Sequence, residues 1–210
     1  MRSELRLLAI AGPPVLPLSG LVEACHAAAA GGVTAVQLRL KDAPAATLLE
    51  YATALCTSLP IPVWVNDRAD VALAAGARGV HVGSEDIPPW AVRAFAGDAL
   101  RIGISVGDRA EASAALEAPV DYWSIGSVCA TGTKPDAGAP IGVGGFRALA
   151  ALAPEGVPVL AIGGIGAENL EEVLAAGAHG VAVSQAVFGA ADVAGAARAL
   201  RDVIDAHRSP

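Results

Sequence analysis

The stretch "AAGARGVHV" (74–82) returns late in the chain as "AAGAHGVAV" (175–183), and a looser copy, "AAGGVTAVQL", spans 29–38. Each reads as the end of a helix, a glycine suited to the left-handed C′ position, and then a β-branched apolar strand. Helix-to-strand joints that recur in this way imply βα units lying side by side in a parallel sheet.

Outward from these copies, further apolar segments complete a set of eight strands. They are "RLLAIAG" (6–12), "AVQLRL" (35–40), "VWVN" (63–66), "GVHVG" (79–83), "RIGISV" (101–106), "YWSIGSV" (122–128), "VLAIGG" (159–164) and "GVAVSQ" (180–185). Alanine- and leucine-rich helical segments separate them, and "ADVAGAARALRDVIDAH" follows the last. Eight alternating units in 210 residues predict a compact α/β chain, a (β/α)8 TIM barrel forming a single domain over 1–210. A doubly wound sheet would need a Gly-rich dinucleotide turn after an early strand, and "AGPP" does not supply one.

Composition narrows the partners. With 54% hydrophobic and 17% charged residues, the chain can bury a sizeable core. A net charge of -7 argues against nucleic acid or an anionic membrane as partner and leaves small molecules. A homo-oligomer is compatible with this composition. Cys25, Cys56 and Cys129 are odd in number and lack metal-site spacing, which fits a reducing, cytoplasmic setting. The apolar stretch "LLAIAGPPVLPL" is broken by Pro13, Pro14 and Pro17, so neither a signal peptide nor a membrane span is expected there.

In such a barrel the functional groups gather at the C-terminal ends of the strands. Strand two ends in Gln37, Arg39 and Lys41, spaced by two and so on one side, with Val36, Leu38 and Leu40 as the opposite apolar set. Cations and an amide facing inward need an anion or a polar mouth; a register shifted by one would turn them toward the helices instead. Strand three ends in Asn66 and Asp67, strand four in Glu85 and Asp86. Carboxylates on neighbouring strand ends could share a Mg²⁺ with substrate phosphates, while each acid alone could equally cap the next helix. Strand five carries Ser105.

The loop "SVCATGTKPDAGAPIG" (127–142) offers Thr131, Thr133 and Lys134 as an anion cradle, and nothing near Cys129 assigns it a base. After strands seven and eight, Gly163, Gly164 and Ser184 fall where this fold repeatedly binds phosphate; the alternative reading is glycines that serve turn geometry alone. The four histidines form no metal constellation. His81, inside strand four, is expected to be a packed core residue, and His179 to lie at the opposite end of the barrel.

Taken together, "AVQLRLKD", "VNDRADVALAAGARGVHVGSED", "GISV", "TGTK" with "DAGAPIG", "AIGGI" and "GVAVS" resemble the thiamine phosphate synthase family over nearly the whole chain. The resemblance implies a Mg²⁺-dependent transferase that joins 4-amino-5-hydroxymethyl-2-methylpyrimidine diphosphate to a thiazole phosphate and releases diphosphate. By position, Gln37, Arg39, Lys41, Asn66 and Lys134 would bind the pyrimidine diphosphate, and Ser105 would lie close to the reacting pyrimidine. Asp67 and Asp86 would ligate Mg²⁺. Thr131, Thr133, Gly164, Val183 and Ser184 would hold the thiazole phosphate. Arg39, Lys41, Ser105 and Lys134 would carry the catalytic work.

A thiazole tautomerase of the same barrel needs no diphosphate or metal site, so Lys41, Asn66, Asp67, Asp86 and the Thr-Gly-Thr-Lys run favour the synthase. A non-catalytic phosphate-ligand-binding relative is the remaining alternative. Leu40 stands where the family usually has Glu, and Ser127-Val128-Cys129-Ala130 replaces the usual Pro-aromatic start of the strand-six loop.

Overall fold

In the computed structural model, which describes residues 3–12, 16–131 and 139–208, the glycines of the repeated joints do have left-handed backbones. Gly32, Gly76 and Gly177 have φ of 105°, 67° and 103°, each one residue past a helix C-cap. Only a residue without Cβ takes that conformation at little cost, and it turns the chain straight back into the next strand.

The elements run β1 (Leu7–Ala11), α1 (Leu18–Ala30), β2 (Ala35–Leu38), α2 (Ala45–Ser58), β3 (Val63–Asn66), α3 (Ala69–Ala74), β4 (Gly79–Val82) and α4 (Pro89–Ala96). They continue as β5 (Arg101–Val106), α5 (Arg109–Leu116), β6 (Tyr122–Ile125), α6 (Gly142–Ala150), β7 (Val159–Ile162), α7 (Leu170–Ala175), β8 (Gly180–Val183), α8 (Gln185–Phe188) and α9 (Val193–Arg208). All eight strands are parallel, each pairs with the next, and β8 closes on β1 through Leu7↔Val181 and Ala9↔Val183. The expected (β/α)8 barrel is the fold. Several strands are shorter than expected: β2 stops at Leu38, β6 at Ile125, β7 at Ile162 and β8 at Val183. Each stops where glycine or polar residues take over from the apolar alternation.

Strand alternation divides the apolar residues into two cores. Val36 and Leu38, Val63 and Val65, Val80 and Val82, and Trp123 and Ile125 pack outward against the helices. Leu8, Ile10, Trp64, Tyr122 and Leu160 fill the barrel itself. Trp64 and Tyr122 meet edge to face, with ring centroids 5.1 Å apart. Such large rings fit because the neighbouring inward positions are glycine. A Cβ on Gly79 would lie 2.5 Å from the Trp64 ring, and one on Gly103 only 2.2 Å from that of Tyr122.

Above this apolar floor the interior turns polar. Among the described residues Gln37, Asn66, His81 and Ser124 are the buried polar ones, and all four line the cavity at the C-terminal ends of the strands. No helix among the described residues is long and apolar enough to cross a membrane.

Candidate active site

A cavity of about 1280 Å³ lies over the C-terminal ends of the strands. Gln37, Arg39, Lys41, Asn66, Asp67, Asp86, Ser105, Thr131, Gly164, Val183 and Ser184 all line it. Thr133 and Lys134 lie outside the described residues.

Gln37 occupies the last inward position of β2, and its Nε2 donates to Asn66 Oδ1 across β2 and β3 at 2.9 Å. That bond leaves Gln37 Oε1 as an acceptor and Asn66 Nδ2 as a donor for a ligand. Arg39 and Lys41 follow the end of β2. The Arg39 N–H still bonds Ala11 C=O at 2.8 Å, while Leu40 packs into the helix-facing core. The inward register expected for Gln37, Arg39 and Lys41 therefore holds, with the two cations on the loop rather than in the strand.

Asp67 has an unusual backbone for an acid. Its φ is 65°, and the Arg68 N–H bonds back to Asn66 C=O at 2.7 Å, closing a three-residue turn around it. The helix-capping reading fails for both acids. The N-cap of α3 is Arg68 and that of α4 is Pro88, neither with a side-chain cap bond. Asp86 instead accepts the Gly83 N–H at 2.8 Å, on its own loop. Burial, then a side-chain interaction with Asp86 and its neighbouring charge, push Asp67 up to about 6, against the opposing pull of Lys41 and Arg39. Arg68 pairs outward with Asp70 at 2.6 Å and so begins the next helix, away from the cavity.

Among the described residues no group of three or more His, Cys, Asp or Glu side chains gathers as a metal cage. Two crowded carboxyls on neighbouring strand ends are nevertheless a donor pair that a hard cation suits, provided a ligand supplies further oxygens.

On the far side of the cavity, Cys129 N–H bonds Gly163 C=O at 2.9 Å and Val128 N–H bonds Ile162 C=O at 2.8 Å. The loop after β6 thus lies along the turn after β7. Gly163 and Gly164 have φ of 94° and 63°, and a Cβ on Gly164 would meet Ala130 O at 2.5 Å. Backbone path and packing demand these glycines whatever binds there. Asn169 then ties the turn down, donating to Gly164 C=O at 2.8 Å and accepting the Gly166 N–H at 3.0 Å. The Gly164 N–H itself has no acceptor among the described residues, which leaves it for a ligand. The Val183 side chain is packed outward in the helix-facing core, so only its backbone can serve the cavity. Ser184 follows it and precedes the short α8.

His81 was underrated by its sequence context. It is a buried interior residue, as expected, but it lines the cavity and its Nε2 lies 3.0 Å from Ser105 Oγ. Strict alternation in "GVHVG" was the available signal, since the flanking valines face the helices. Ser124, paired in register with Ser105, and Glu111 and Glu168 at the rim carried no comparable signal.

A closed βα barrel with acids, cations and a donor-bearing glycine turn around one cavity defines an enzyme of the barrel class that works on anionic small molecules. The family model described as thiamine monophosphate synthase matches residues 7–187. Thiamine-phosphate synthases of Azorhizobium caulinodans and Xanthobacter autotrophicus are 47% and 43% identical, covering 90% and 98% of this chain and the same shares of their own. A solved thiamine phosphate pyrophosphorylase from Pyrococcus furiosus superposes with a TM-score of 0.89 at 37% identity, covering 99% of both chains. The chain belongs to the thiamine monophosphate synthase family.

Proposed function

We propose that this cavity makes thiamine phosphate, a transferase reaction in which a thiazole phosphate displaces diphosphate from the pyrimidine diphosphate. The observation that carries this reading is the Asp67–Asp86 carboxyl pair on adjacent strand ends, with Arg39 and Lys41 close enough to act on Asp67. Tautomerisation of a thiazole carboxylate has no use for such a group, and a simple phosphate pocket does not require one.

Gln37 Oε1 and Asn66 Nδ2 offer an acceptor and a donor that match the amino group and a ring nitrogen of the aminopyrimidine. Ser105 lies beside the same ring. Arg39 and Lys41, with Lys134 from outside the described residues, hold the diphosphate and stabilise the charge that builds as its carbon–oxygen bond breaks. Asp67 and Asp86 would hold Mg²⁺, which when bound supplies further neutralisation of the leaving diphosphate. Gly164, Ser184 and the Val183 backbone, with Thr131 and Thr133, hold the thiazole phosphate. The thiazole nitrogen forms the new carbon–nitrogen bond with its own lone pair, so no side chain needs to act as base. Three free cysteines, one of them Cys25 with its thiol pushed up to about 12 by burial, fit a cytoplasmic setting.

Incubation of the purified protein with both substrates and Mg²⁺ should yield thiamine phosphate and diphosphate in equal amounts. Isomerisation of the thiazole carboxylate without coupling would leave the tautomerase, and ligand binding without either reaction a binding protein.

A further inference from the structure

Behind Ser105 the barrel interior holds a hydrogen-bonded chain that the reaction above does not use. His81, 6% exposed, links Tyr122 to Ser105: its Nδ1 lies 2.8 Å from the Tyr122 hydroxyl and its Nε2 3.0 Å from Ser105 Oγ. Tyr122 is fully buried, stacked on the His81 ring at 5.5 Å between centroids and wedged against Gly103. Its hydroxyl has no other hydrogen-bond partner among the described residues.

Counting protons decides the direction of the chain. Burial pushes the Tyr122 phenol far above its ordinary value, so it keeps its proton. Among the described residues that proton has one acceptor within reach, His81 Nδ1. If His81 carried hydrogen on Nδ1, whether as the other neutral tautomer or as imidazolium, the phenol proton would be buried with nothing to bond. With Nδ1 accepting, the neutral ring must carry its hydrogen on Nε2, and that hydrogen points to Ser105 Oγ.

We propose that Tyr122 and His81 are positioning residues that orient the Ser105 hydroxyl, so that Ser105 accepts from His81 and donates its own proton into the cavity. The ligand atom that meets it is then an acceptor, an in-plane lone pair on a ring nitrogen of the aminopyrimidine. An amino group there could use only the second lone pair of Oγ and would leave the outward proton without an acceptor. This inference rests on the placement of the pyrimidine beside Ser105, and its test separates the two.

Nitrogen-15 NMR of the whole protein reads the tautomer directly, with His81→Gln identifying the signal among the four histidines. The expected result is a pyrrole-type Nε2 and a pyridine-type Nδ1; hydrogen on Nδ1 at neutral pH overturns the proposal. Tyr122→Phe keeps the ring and removes only the hydroxyl. It should mix the tautomers and raise KM for the pyrimidine diphosphate roughly tenfold, the scale of one lost hydrogen bond. KM for the thiazole phosphate should stay within about twofold. A pyrimidine analogue with CH in place of the contacted ring nitrogen should bind wild type and Tyr122→Phe alike. An unchanged tautomer and unchanged KM in Tyr122→Phe sink the chain. Ser105→Ala with an unchanged pyrimidine KM sinks the substrate placement instead, and the NMR result stands apart from it.

Discussion

Asp67 combines two features that stability alone would not select, a left-handed φ and a carboxyl held near pH 6. Strain and a raised pKa at one residue are the marks of a site built for a ligand. Asn tolerates the left-handed region and lacks the charge, so Asp67→Asn isolates the carboxylate from the backbone. Turnover should fall about a hundredfold or more. Stability of the metal-free protein at pH 7 should hold or rise, because the folded-state pKa lies above the ordinary 3.8 and ionisation therefore works against folding as pH climbs from about 4 to 6. Unchanged Mg²⁺-dependent turnover in this variant would remove Asp67 from the metal assignment. Metal and proton compete for the same oxygens. Mg²⁺ affinity should therefore rise by up to about tenfold per pH unit below 6 and level off above it, as titration calorimetry at several pH values would report.

At the scale of elements, glycines at the two ends of the strands do different work. Gly79, at the start of β4, faces the Arg101 carbonyl and the Trp64 ring, where a Cβ would come within 2.3 and 2.5 Å. Gly79→Ala should lower stability by about 1–3 kcal/mol in denaturant melts, with KM values of the folded enzyme little changed. Gly164, after β7, combines a φ of 63° with a cavity-facing N–H that has no acceptor among the described residues. Gly164→Ala should raise KM for the thiazole phosphate about tenfold while the pyrimidine KM stays put; the reverse pattern would move the phosphate site elsewhere.

The same division explains what could be read in advance. The helix-to-strand joints were legible because three copies share one glycine-to-strand pattern. The acids and cations of strand ends two to four were legible because charge interrupts apolar alternation there. For His81 the alternation showed an inward face but not a place in the cavity, since a single polar residue inside a strand looks the same whether it packs or binds. Nor could the mutual influence of Asp67 and Asp86 be seen, because it depends on how two loops bend after their strands end.

The whole molecule unites these parts, because the polar upper layer stands on the apolar floor of the same strands. β3 carries Trp64 in that floor and Asn66 above it, and β6 carries Tyr122 below Ser124. Ligand binding at the mouth should therefore stabilise the barrel as a unit. The site sets acids after β3 and β4 beside cations after β2, and neither diphosphate nor Mg²⁺ alone satisfies both. Together they do. At about a hundred times the dissociation constant, a ligand that binds only the folded state adds about 2.7 kcal/mol. For a chain of this size that corresponds to a rise in Tm of roughly 5–11 °C. Differential scanning fluorimetry should find this rise with Mg²⁺ and diphosphate together, less than half of it with either alone, and little in Asp67→Asn. An equal rise with diphosphate alone would mean that Arg39 and Lys41 bind it without the acids, and the carboxyl pair would need another explanation.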